Sequence, residues 1–298
     1  MDYVSPSLTC RGREFAWGER TYVMGIINVT PDSFSGDGVM ALEAAVDQGK
    51  RLVAEGADIL DVGGESTRPA YGARLEARRF GVQWGGEVAT VPEEEELHRV
   101  LPVIERLVKE VDVPISVDTY KSEVARRALG AGASMINDVW GLKADANVAT
   151  VAAEYNVPLV LMHNQSGTKY DNLIEDILAS LEASVQQALA AGVRHENILL
   201  DPGFGFGKLP VHNLEVLRRL RELKTLGYPL LVGTSRKSTI GLVLDLPVDD
   251  RVEGTAATMA IAIANGADII RVHDVKAMSR VARMTDAIVR GWSPESEA

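Results

Sequence analysis

Eight short apolar runs in this chain of 298 residues each end on side chains that can donate, accept or carry charge. In chain order those ends hold Asn28, Asp61, Asp118, Asn137 with Asp138, His163, Asp201, Thr234 with Ser235, and Arg271 with His273. Any one of them alone is an ordinary helix cap or loop residue. All eight together point to one shared polar pocket. Other chemistries fail on spacing. The stretch 201–208, Asp-Pro-Gly-Phe-Gly-Phe-Gly-Lys, looks like a nucleotide loop. A Walker loop, however, needs glycine where Pro202 stands and Ser or Thr where Leu209 stands, and a dinucleotide fingerprint from Gly203 needs glycine at Lys208. His195-Glu196 has no second histidine at zincin spacing, and no Gly-x-Ser-x-Gly elbow occurs. An aldolase reading would make Lys237, beside Arg236, a Schiff-base nucleophile; borohydride trapping with a carbonyl substrate would detect it, and none is expected.

The elements that must position these residues repeat one pattern. A helix-period stretch ends in glycine, a β-branched run follows, and polar residues close it. Gly56-Ala57-Asp58-Ile59-Leu60-Asp61-Val62, Gly132-Ala133-Ser134-Met135-Ile136-Asn137-Asp138-Val139 and Gly266-Ala267-Asp268-Ile269-Ile270-Arg271-Val272 are the clearest copies. Glycine supplies the left-handed cap, and the apolar run is a strand buried on both faces. Proline introduces others at Pro114, Pro158 and Pro229; with 23–29 and 197–201 the strands number eight. Helices are expected over 39–55, 93–110, 121–131, 146–155, 173–191, 213–226, 252–265 and 275–290. Pro92 is expected at the first position of the second, with Glu93 to Glu96 complementing the positive end of its dipole. Eight alternations predict a (β/α)8 TIM barrel at 22–290, rather than an open doubly wound sheet. A short hairpin within 1–21 precedes it and a tail, 291–298, follows, all in one domain. Residues 69–91 lack periodicity; a loop that long is either a lid or a tolerated surface insertion.

Composition bounds the partners. Apolar residues form 46% and charged residues 24% of the chain, which is globular. A net charge of −11 does not suit a nucleic-acid or anionic-membrane binder. Any phosphate must therefore be gripped by a local cluster of positive groups. A single cysteine, Cys10, fits a reducing compartment, and neither a leader nor a spanning run is evident, so a soluble cytoplasmic protein is expected. The stretch 254–264 is apolar nearly all round, which suits burial on two sides.

Three runs are unusual enough to identify a family: Asn28-Val29-Thr30-Pro31-Asp32-Ser33-Phe34-Ser35, Gly63-Gly64-Glu65-Ser66-Thr67-Arg68-Pro69 and Gly233-Thr234-Ser235-Arg236-Lys237-Ser238. With Asp118-Thr119, Ile136-Asn137-Asp138, Met162-His163, the 201–208 run and Arg271-Val272-His273-Asp274, they closely resemble the dihydropteroate synthases, one motif per strand end from about residue 22 to 290. The resemblance implies a transferase of folate biosynthesis. Such an enzyme condenses 6-hydroxymethyl-7,8-dihydropterin diphosphate with 4-aminobenzoate, releases diphosphate, uses Mg²⁺ and is the target of sulfonamides.

It also implies roles. Asp201 and Asn137 meet the pterin 2-amino and N3 edge, Asp118 faces the dihydro edge, and Lys237 donates to the carbonyl side and borders the aminobenzoate. Arg271 stacks on the ring and meets phosphate, something Lys could not reproduce. Val139, Met162 and Phe206 form the apolar wall. Asn28, Arg271 and His273 handle diphosphate, with Asn28 also at the Mg²⁺ site. Asp32 shields the cation left when diphosphate departs. Phe34, Thr67, Pro69 and Ser238 form the aminobenzoate pocket, with Arg68 beside it. A catalytic group of Asp32, Lys237, Arg271 and His273 and a homodimer are implied as well. The chain departs from the family pattern at Ala70, usually glycine, and in the length of the loop that follows. A pterin-binding methyltransferase barrel is the alternative; it shares the Asp/Asn/Asp set but needs neither the Thr67-Arg68-Pro69 nor the Arg236-Lys237-Ser238 loop.

Overall fold

The computed structural model describes residues 7–29, 38–65 and 90–293. Asp32, Phe34, Thr67, Arg68, Pro69 and most of the long connection expected at 69–91 lie outside the described residues. Strands β1 (Ser7–Cys10) and β2 (Arg13–Ala16) form an antiparallel hairpin, as expected for the first segment. Eight more follow: β3 (Tyr22–Asn28), β4 (Ile59–Gly63), β5 (Ile115–Asp118), β6 (Met135–Asp138), β7 (Leu159–Met162), β8 (Ile198–Asp201), β9 (Leu231–Val232) and β10 (Ile269–Val272). They run in the order β8-β7-β6-β5-β4-β3-β10-β9. Each pair is parallel, and a parallel bridge from Leu200 to Leu230 joins β8 to the residue before β9. The circle closes, giving a TIM barrel.

Around it lie α1 (Gly38–Ala54), α2 (Glu93–Glu110), α3 (Ser122–Gly130), α4 (Asn147–Tyr155), α5 (Leu173–Ala190), α6 (Pro210–Arg218), α7 (Ser238–Leu244), α8 (Val252–Ala264) and α9 (Val275–Val289). In α2 the buried Val100, Val103, Ile104 and Leu107 recur at helical spacing, so one stripe faces the strands. Burying each such side chain stabilises the fold by roughly 1.5–3 kcal/mol. Pro92 caps α2 from just outside, one residue earlier than its expected place.

Two helices differ from expectation. The run expected at 213–226 starts earlier, on Pro210, and breaks after Arg218 into a 3-10 turn over Leu220–Leu226. The Asn265 amide donates to the Leu217 carbonyl at 2.8 Å, taking the acceptor that a continuing α-helix would use. Helix α7 was not expected at all, because Ser-Thr-Ile-Gly-Leu-Val-Leu is rich in β-branched residues. Arg251 holds its far end by donating to the Leu246 carbonyl at 2.9 Å.

The two-residue period of the strands sorts the interior into layers. One layer holds Met24, Ile59, Met135, Val160, Leu199, Leu231 and Ile269, and the hairpin closes it from below with Leu8, Cys10 and Phe15. The hairpin is fastened there: Arg11 donates to the Val113 carbonyl at 2.7 Å, and Phe15 packs on Tyr22 with centroids 4.8 Å apart. Two residues further along the strands stand Asp61, Asn137, Met162, Asp201 and Arg271. The polar site rests on this apolar layer.

Candidate active site

Arg271 on β10 is the centre of the pocket floor. Its Nε donates to Asp61 Oδ2 at 2.6 Å and its Nη2 to Asp118 Oδ2 at 2.7 Å. Asn137 Nδ2 donates to the same Asp61 oxygen at 3.1 Å. Asp61, Asp118 and Asn137 are all buried. One guanidinium thus holds two carboxylates from β4 and β5. The other oxygens, Asp61 Oδ1 and Asp118 Oδ1, are buried with no hydrogen-bond partner among the described residues, as is Ser116 Oγ. Buried acceptors left open in this way are uncommon and call for a donor that the described residues do not supply. Burial pushes the Asp118 carboxyl up to about 7; Arg271 opposes the rise and Asp61 adds to it.

The second wall comes from the loops after β8 and β9. Asp201 Oδ1 accepts from the Gly203 backbone at 2.6 Å. Burial raises the Asp201 carboxyl, against the pull of Lys237 first and of Lys208 and Arg271 after it. Gly203 has φ +69°, and a Cβ there would stand 1.9 Å from the His163 carbonyl, so only glycine lets the loop pass this close to β7. Lys237 Nζ donates to the Phe204 carbonyl at 2.5 Å and sits 4.8 Å from the centroid of the Phe206 ring. Burial lowers the Lys237 ammonium to about 8, with Asp201 opposing. Arg236, its neighbour, is turned away: its guanidinium makes two bonds to Asp274, at 2.9 and 2.6 Å, with the backbone at φ 56°.

His273 stands at the rim beyond β10. Its backbone N–H donates to Ser235 Oγ at 3.2 Å, and the same hydroxyl lies 3.0 Å from Nδ1. Asn28 is exposed at the end of β3, in register with Gly63, which is in turn in register with Asp118. Val139 and Met162 are buried, while Phe206 and Ser238 are half-buried. Among the described residues no group of three or more His, Cys, Asp or Glu side chains is placed to hold a metal. Asn28 has one neutral side-chain oxygen at the exposed end of β3. A single neutral oxygen is a donor of the kind that suits an ion which keeps most of its own waters.

The structure therefore joins Arg271 directly to Asp118 and, through Asp61, to Asn137, and brings Asp201, Lys237 and Phe206 together. It gives Asp61, named only as one of the strand-end groups, a direct partner, and it adds Lys121, which was not singled out. Asp61 carried a signal, since it ends a strand, but nothing in its run distinguished it from a cap. Lys121, at the start of α3, donates to Glu65 Oε2 at 2.7 Å, Glu96 Oε2 at 2.5 Å and the Val91 carbonyl at 2.6 Å. It ties together the described residues on either side of 66–89. Asp138, expected among the pocket groups, instead accepts from the backbones of Trp140 at 2.8 Å and Leu142 at 2.7 Å, and so shapes the turn after β6.

The family described as pterin binding enzyme matches residues 24–79 and 80–273. A dihydropteroate synthase of Clostridium beijerinckii is 52% identical over 280 residues, covering 93% of this chain and 98% of that protein. The chain belongs to the dihydropteroate synthase family. The Bacillus subtilis dihydropteroate synthase is 51% identical, over 92% of this chain and 90% of that protein. Among solved structures, the Clostridium difficile dihydropteroate synthase determined with pteroic acid superposes with a TM-score of 0.85 at 51% identity, covering 93% of this chain and 99% of that one. The Xanthomonas albilineans dihydropteroate synthase in complex with 7,8-dihydropteroate has a TM-score of 0.82 at 42% identity, over 95% and 98%. The family's barrel and this chain's are the same fold over nearly their whole length. Among the described residues no helix is long and apolar enough to cross a membrane.

Proposed function

We propose that the chain condenses 6-hydroxymethyl-7,8-dihydropterin diphosphate with 4-aminobenzoate to 7,8-dihydropteroate and diphosphate. The observation that carries this is the pair of open buried acceptors, Asp61 Oδ1 and Asp118 Oδ1, beside Asn137 and Asp201 on one pocket floor. A flat heterocycle with several N–H donors along its edge satisfies such a set. Asp201 and Asn137 take the 2-amino and N3 edge, and Asp118 the dihydro edge. Lys237 donates to the carbonyl side, held there by the Phe204 carbonyl. Val139, Met162 and Phe206 form the apolar wall.

Arg271 has Nε and Nη2 engaged with carboxylates, so its position is fixed before substrate arrives. Its planar face remains for stacking, and Nη1, without a partner among the described residues, for phosphate. Negative charge grows on the departing diphosphate, and Arg271, His273 and Asn28 are the donors nearest the rim that would stabilise it. Mg²⁺, held through the Asn28 oxygen, would supply further neutralisation of that charge. Asp32 then shields the cation left on the pterin, and Phe34, Thr67, Arg68, Pro69 and Ser238 receive the aminobenzoate whose amine attacks it. Carbon–nitrogen bond formation follows or accompanies carbon–oxygen cleavage, and the amine proton goes to solvent or to the leaving diphosphate.

Self-association belongs to the same reading. Helices α8 and α9 pack together, and Ile261, Met284, Ile288, Val289 and Trp292 remain exposed on them and just beyond. A homodimer that covers this apolar strip is proposed, measurable by sedimentation equilibrium; a monomer at micromolar concentration would refute it. A cytoplasmic location agrees with the single buried cysteine. The activity itself is tested by diphosphate release. Release should require the pterin diphosphate, 4-aminobenzoate and Mg²⁺ together and yield dihydropteroate. Purified protein that binds pterin yet releases no diphosphate would refute the assignment.

A further inference from the structure

Lys208 is a buried cation to which the proposed chemistry assigns no task. It is 2% exposed, and its Nζ lies 3.0 Å from the Gly203 carbonyl, 3.0 Å from the Phe206 carbonyl and 2.8 Å from His163 Nδ1. Three acceptors match the three protons of an ammonium. The carbonyls it grips flank Phe204, whose own carbonyl holds Lys237, and Phe206 belongs to the apolar wall beside Lys237. Phe206 N–H closes the same turn on the Gly203 carbonyl at 3.0 Å.

We propose that Lys208 is a positioning residue for pterin recognition, folding the loop 202–207 against His163 and lending the positive charge that keeps Asp201 an acceptor. It does not touch substrate; it acts through the loop and through Asp201, and so rests on the reading of Asp201 as the pterin contact. The charges around that carboxylate come from three elements: Lys208 on its own loop, Lys237 beyond β9 and Arg271 on β10. Lys208 in turn faces Asp201, Lys237 and Lys143. Burial drives the Lys208 ammonium down and Asp201 resists this. Burial, with the charge of Lys208 next, holds His163 near 2, so the ring is neutral and can accept.

Two substitutions separate loop from charge. Lys208→Gln keeps two N–H donors of similar reach but no charge; Lys208→Met removes both. Calorimetry of pterin diphosphate binding across pH is the readout. Lys208→Met should weaken binding by about tenfold or more, the size of a lost charged hydrogen bond. Lys208→Gln should move the acid limb of binding up by about one pH unit, because Asp201 loses a stabilising cation. A purely structural role would lower affinity equally at every pH and leave that limb in place. A parent protein that fails to bind pterin diphosphate refutes the underlying reading. A parent that binds, with both variants within about twofold of it and the limb unmoved, refutes this inference alone. Should either variant fail to fold, the parent decides by nitrogen NMR of His163. The proton should reside on Nε2, with Nδ1 bare, from about pH 8 to about pH 5. A proton on Nδ1 would overturn the proposal, because an ammonium cannot donate to it.

Discussion

Replacing Asp118 with Asn should stabilise the folded chain at alkaline pH while weakening pterin binding. The carboxyl is buried and pushed up from 3.8 to about 7, by burial above all, with Arg271 opposing and Asp61 adding to the rise. Between those two values the folded state holds a proton that the unfolded chain has already released. Stability therefore falls as pH rises through the window. At about 1.4 kcal/mol per unit the full loss is on the order of 4 kcal/mol, the larger part of it incurred above about pH 5. Asn cannot ionise and is spared the loss. Arg271 keeps its bond to Asp61, so the guanidinium is not orphaned. From about pH 5 to about pH 8 the variant should gain on the order of 2–3 kcal/mol on the parent. Urea denaturation of both proteins at both pH values measures this as a difference of differences, which cancels any fixed packing effect. Calorimetry on the same samples should show weaker binding of pterin diphosphate, a trade of activity for stability. A stability difference that is the same at both pH values would refute the reasoning. It would mean that Asp118 is an ordinary ionised partner of Arg271.

Asp201→Asn turns one acceptor towards a donor in a buried site; the roughly 2–5 kcal/mol attached to such a change predicts at least about 30-fold weaker pterin diphosphate binding. Measured against a 2-desamino analogue as well, a coupling near zero would show that Asp201 does not meet the 2-amino group. Lys237 is held down to about 8, chiefly by burial, so it loses its proton above that pH and kcat/KM for the pterin substrate should fall there. Lys237→Arg stays charged and should shed this basic limb while binding less well overall, and a limb that persists would assign it elsewhere. Phe15→Ala empties the plug under the barrel and should cost about 3–5 kcal/mol in denaturant titration with binding intact; a loss under about 1 kcal/mol would mean that the hairpin is not part of the core.

Local pattern carried much of this protein. Alternation of helical and β-branched stretches with glycine at the helix ends predicted eight strands and the barrel, since those signals lie within ten residues of one another. The polar strand ends were legible for the same reason: in a two-residue period, Ile59 below and Asp61 above must point the same way. Family motifs then assigned roles that period alone could not. Local pattern was silent on which ends touch. Arg271 reaches Asp61 across 210 positions and Asp118 across 153, contacts that exist only because β10 lies against β3 in the closed barrel. Asp61 was legible as one of the polar strand ends, but only closure made it a partner of the central arginine. Lys208 likewise belonged to a glycine-rich run with no visible purpose, and His163, 45 positions away, supplies the acceptor that explains it. The break after Arg218 depends on Asn265, 48 positions away from the carbonyl it takes. Propensity is local and can be read along the chain. Hydrogen bonds and charge pairs between strands depend on which strands become neighbours, and that was settled only by the packing of the whole barrel.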